Sequence, residues 1–132
     1  IVGNNINVKS FSSTRGGNFG ENFNTDEISV IDWGSLNIEF TGCNTASMSY
    51  ESSEQEDGLV FGNGGYELFR LAENKAVQCC LEKGFENVKS KDWMSGTLFG
   101  GATRSGEGFL LDVLTDSQVI VTWYTYLPFI EN

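Results

Sequence analysis

Few residues of this 132-residue chain are equipped for chemistry, and the one most often used is absent: there is no histidine. The commonest general base, the usual zinc ligand and every His-dependent triad are therefore excluded. Ser105 lies in Arg104-Ser105-Gly106-Glu107-Gly108, which is not a G-x-S-x-G elbow. Its glycines fit a tight turn into the next strand, and Arg104 and Glu107 fit a structural ion pair across that turn better than a substrate clamp. Eighteen Asp and Glu offer many carboxylate pairs, but none sits in a context that would recognisably raise a pKa. No catalytic residue is assigned, and the chain reads as a non-enzyme. Asn22-x-Asn24-x-Asp26 resembles the opening of a calcium loop, but the Gly and closing Glu of an EF-hand are missing and Phe23 reads as core. Gly16-Gly17-Asn18-Phe19-Gly20 lacks the strand–helix context of a phosphate loop. No metal ligand and no cofactor are assigned.

Two residue types remain. Cys43, Cys79 and Cys80 show none of the C-x-x-C zinc or redox spacings. A disulfide between Cys43 and one of the adjacent pair is the economical arrangement, closing a loop worth roughly 4 kcal/mol in the chain-entropy model. Neighbours in an extended segment point to opposite faces, so one of Cys79 and Cys80 pairs and the other is left over. Among the aromatic residues, Trp93, Trp123 and Tyr124 are the candidates for exposed rings that bind a carbohydrate or another small ligand.

These residues must be positioned by strands. Leu36, Ile38 and Phe40 alternate with polar residues, as do Ala46, Met48 and Tyr50, and Gly42-Cys43-Asn44-Thr45 between them has turn chemistry. The same period of two runs through Val2, Ile6 and Val8, through Phe109, Leu111 and Val113, and through Val119, Val121 and Trp123. Phe69 and Leu71 align in a further strand from Gly65. The expectation is an all-β antiparallel meander of about seven to eight strands, forming a barrel or a sandwich. Asn74 to Lys83 is the one helical stretch, with Asn74 as cap, Val77 and Leu81 four apart, and Gly84 as stop. Arg70, Lys75, Lys83, Lys89 and Lys91 in or beside it read as a solvated connector, and the acidic run Glu51 to Asp57 as a solvated hairpin loop.

The whole chain is one domain, residues 1–132, with a first half 1–85 and a second half 86–132. At 39% hydrophobic it fills one core. A net charge of −10 excludes nucleic acid as a partner and disfavours an anionic membrane surface, and no apolar run is long enough for a spanning helix. The start at Ile1 points to a removed leader or a piece of a longer chain. In Gln118 to Tyr126 both faces are apolar, because Ile120, Tyr124 and Tyr126 oppose Val119, Val121 and Trp123. Such a strand near one end, with the N-terminal strand of Val2, Ile6 and Val8 at the other, points to self-association through terminal strands.

The segments Trp93 to Phe99, Ala102 to Phe109 and Val121 to Tyr126 together resemble a repeated β module of bacterial exported proteins, with the pattern G-T-W-Y-x-P-x-R-S-G-x-G-F and then W-Y-T-Y. Trp33-Gly34-Ser35-Leu36, Phe40-Thr41-Gly42-Cys43-Asn44 and Arg70-Leu71 before a further Cys are similar to the module's other half. The order of the halves is permuted, so the terminal strands are expected to be neighbours in space or to pair with those of adjacent subunits. Leu98-Phe99 stands where the module has W-Y, Gly101 where it has Pro, and Cys80 is extra. The resemblance implies export and an all-β fold, and no reaction. The leading expectation is a non-catalytic structural subunit of an extracellular or cell-surface assembly, filament-like and joined through terminal strands. The alternative is a secreted carbohydrate- or small-ligand-binding module.

Overall fold

A computed structural model describes residues 1–126. Seven strands follow one another in a single antiparallel sheet: β1 (Asn5–Arg15), β2 (Ser29–Phe40), β3 (Thr45–Glu56), β4 (Leu59–Arg70), β5 (Gly96–Phe99), β6 (Gly108–Thr115) and β7 (Gln118–Tyr124). The sheet curls into a nearly closed barrel. The alternation seen in the sequence decides its inside: Leu36, Ile38 and Phe40 of β2, Ala46 and Met48 of β3, and Phe109 and Leu111 of β6 are all buried. The β2–β3 register pairs Leu36 with Tyr50, Ile38 with Met48 and Phe40 with Ala46, which confirms the predicted hairpin.

One end of the barrel is plugged. The connection from β4 to β5 carries α1 (Lys75–Lys83), whose first turn is capped by the Asn74 side chain accepting from the Val77 amide at 2.9 Å. Val77 and Cys80 face the core and meet Trp93, which packs edge-to-face on Phe40 and Phe85. A Cys43–Cys80 disulfide ties the β2–β3 turn to this helix, and Cys79 is free and exposed. The two cysteines are separated by the helical rotation rather than by the opposite faces of an extended segment. Arg70 completes the plug: its guanidinium donates to the carbonyls of Cys43 (3.0 Å), Trp93 (2.7 Å) and Ser95 (2.8 Å).

The structure corrects several sequence expectations. Val2 lies outside β1 and is 80% exposed, because Gly3 turns the chain back and leaves only an isolated bridge to Asn5. Phe69 and Leu71 face outward; the inward set of β4 includes Leu68. Glu51 to Glu56 is strand, not loop, since the β3–β4 turn consists of Asp57 and Gly58 alone, both at positive φ. Phe23 is exposed. Asn24 caps a short 3-10 turn by accepting from the Asp26 amide at 3.0 Å, so its side chain is engaged locally. Arg70 is not part of a solvated connector, for the reason given above.

Strand count has a topological result. Seven strands in an antiparallel meander leave β1 and β7 running in the same direction, and the two are not paired with each other. They are neighbours nonetheless: the Ile1 ammonium donates to the Ser117 carbonyl at 3.1 Å, and the rings of Phe11 and Trp123 lie 6.5 Å apart. Hollows open along this seam, one of 490 Å³ beside Val8, Lys9, Gln118 and Val119, the other of 360 Å³ beside Phe11 and Trp123.

Candidate functional site

The unplugged end of the barrel is lined by rings. β1, β2, β3 and β4 extend past the short strands β5 to β7 there, and they carry Phe11, Trp33, Tyr50, Phe61 and Tyr66 inward around Trp123 of β7. Trp123 stacks on Phe109 with an 11° interplanar angle and meets Trp33 edge-to-face at 5.1 Å and Tyr50 at 5.4 Å. Trp33 in turn contacts Phe61 at 5.2 Å. Two backbone features let the wall close this tightly. Gly34 has φ 147°, and a Cβ there would collide with the Glu51 carbonyl of β3. The buried Ser52 hydroxyl donates to the Trp33 carbonyl and accepts from the Glu54 amide, which fixes the β3 irregularity beside it.

A polar rim crosses these rings. The loop between β5 and β6 brings Arg104 and Glu107 into the predicted ion pair, 3.1 Å apart. The Arg104 guanidinium lies 4.4 Å from the centre of the Tyr66 ring. Tyr66 accepts from the Trp123 indole nitrogen at 3.1 Å. Burial pushes its phenol up to about 12; the Trp123 bond opposes this, and the Glu107 carboxylate adds to it. Tyr126 donates to the Ser105 carbonyl at 3.4 Å, and a Cβ on Gly106 would strike the Tyr126 hydroxyl. Between these groups is a cavity of 140 Å³, walled by Tyr50, Phe61, Tyr66 and Trp123 and rimmed by Arg104 and Glu107.

The three rings singled out from sequence do not converge. Trp93 is 1% exposed in the plugged end, so it presents no ring to solvent. Trp123 and Tyr124 are adjacent in β7 and take opposite faces: Trp123 faces the mouth, and Tyr124 lies outside at 55% exposure. Of the proposed assembly strands, Ile6 is buried in the core and Val8 is half-buried, which removes both from an outer contact face. Ile120, Tyr124 and Tyr126 are exposed. Trp33, Tyr50, Phe61 and Tyr66 were missed as site residues. Of these only Tyr50 was marked by its strand period, as core, and the excess length of β1 to β4 over β5 to β7 carries all four into an open mouth.

The elements that carry the sequence resemblance separate by end. Arg104, Glu107, Trp123 and Tyr126 meet at the mouth, whereas Cys43, Arg70 and Cys80 form the plug. The departures from the pattern do not touch the mouth cavity: Leu98 is core, and Phe99 and Gly101 pack against Phe69. Among the described residues no group of three or more Cys, Asp and Glu side chains is placed to hold a metal ion, and no helix is long and apolar enough to cross a membrane. Comparison of the chain with protein-family models, curated proteins and solved structures gives no match.

Proposed function

We propose that the chain is a non-catalytic structural subunit of an extracellular assembly, which completes its barrel with an extended strand from a second copy. The observation that carries this reading is the seam. β1 and β7 run in the same direction, each with one unpaired edge, and hollows lie between them. A single strand antiparallel to both would satisfy the two edges at once, which is strand addition in its simplest geometry. Exposed apolar residues flank the β7 side of the seam, with Ile120 at 52% and Tyr124 at 55%. The disulfide supports export, since such bonds persist in oxidising compartments.

Deleting the first eight residues would remove Ile6 from the core, so truncation is a poor test. Residue-resolved amide hydrogen exchange on the intact chain is a better one. In dilute protein the seam-side amides of β1 and β7 should exchange freely; at high concentration they should become protected as the particle mass rises. A mass that stays at 14.5 kDa throughout, or protection that appears elsewhere, overturns the reading.

A further inference from the structure

We infer that the mouth cavity binds a small organic cation of the alkylammonium class. The site borders the seam hollow, with which it shares Phe61 and Trp123, but its walls all come from one chain and it needs no second copy. Its walls are the rings of Tyr50, Phe61, Tyr66 and Trp123, and it has a volume of 140 Å³. So small a space between rings suits a compact head group, such as a nitrogen ringed by methyl groups, better than a sugar ring with its hydroxyls. Ring faces carry the negative lobe of the aromatic quadrupole, so a cage of them attracts a positive head group. The protein already demonstrates the contact: the Arg104 guanidinium rests on the Tyr66 ring at 4.4 Å.

Charge selects in the same direction. Glu107 lines the cavity with its side chain 16% exposed, so its carboxylate, paired with Arg104 through Oε2, keeps negative charge at the rim. The net charge of −10 raises the local concentration of cations and repels anions. A stacked neutral sugar fits less well. One face of Trp123 is taken by Phe109, and Trp33, Tyr50 and Phe11 crowd the rest of the ring. Arg104 therefore acts as a resident competitor: it shares both Tyr66 and Glu107 with the incoming ion.

Tetramethylammonium and choline are the probes, with 3,3-dimethylbutanol as the uncharged counterpart of choline and methyl glucoside as the neutral sugar. Tryptophan fluorescence of the full chain reads the titration through Trp123. Both cations should shift the emission saturably, and the uncharged alcohol should bind at least tenfold more weakly. Glu107→Gln should weaken choline about tenfold, and Arg104→Ala should tighten it by removing the competitor. Circular dichroism keeps both variants interpretable, because a folded Arg104→Ala that loses choline binding would overturn the assignment. Equal affinity for alcohol and choline, or binding of the sugar alone, would also overturn it. Vesicles of phosphatidylcholine test whether the same head group is taken from a membrane. Binding to vesicles without free choline would move the site to lipid recognition, and so against a free solute. None of these outcomes bears on protection of the seam amides, so the two proposals fail separately.

Discussion

Tyr66 shows how one side chain links the core to the mouth. Its hydroxyl accepts from Trp123, its ring supports Arg104, and burial raises its pKa to about 12 from the ordinary 10.0. A neutral phenol is thus favoured in the folded protein over the unfolded chain. The sign follows from proton linkage: the folded state holds the proton longer, so the stability Tyr66 contributes is full below pH 10 and is lost as the pH rises through about 12. An absorbance titration of phenolate should show one of the four tyrosines ionising late, in step with falling stability. Tyr66→Phe should remove that late step. If the late step persists in the variant, the assignment to Tyr66 is wrong.

Among elements, the plug is the place where an unremarkable sequence hides a specific structure. Arg70 reads as one of five basic residues around a connector, yet its guanidinium binds three carbonyls from two chain segments. Replacing it with Ala strands those acceptors, and Arg70→Ala should cost about 2–3 kcal/mol in urea unfolding with an unchanged slope. Arg70→Lys should recover only part, because a point ammonium cannot span three acceptors as a planar fork does. A loss below about 0.5 kcal/mol for the Ala variant would mean that water replaces the guanidinium without penalty. The contrast with β2 and β3 explains what sequence could reveal. Leu36, Ile38 and Phe40 declare their face by a period of two, and Asn74 and Gly84 declare the limits of a helix. Arg70 and the mouth aromatics have no local signal, since their partners lie far along the chain. Asp57-Gly58 did carry a signal, that of a two-residue hairpin turn; the acidic run before it masked a strand as a loop.

For the whole molecule, charge and topology oppose each other. Copies bearing −10 repel at long range, while a seam with two unpaired edges favours contact at short range. Added salt screens the first and leaves backbone hydrogen bonds nearly untouched. Association should therefore strengthen between low and moderate ionic strength, as read by light scattering at fixed protein concentration. Association that weakens with salt would point to ion pairs between copies and away from strand pairing.

Because seven is odd, the barrel is also a vector. The chain enters β1 at the plugged end and leaves β7 at the mouth, so entry and exit lie at opposite poles. A guest strand antiparallel to both seam edges would therefore have its direction fixed, running from the mouth toward the plug. The longest strands have 12 residues, so the wall along that direction is at most about 40 Å long. The two poles of the barrel differ chemically, one presenting an aromatic mouth and the other a disulfide-bonded plug.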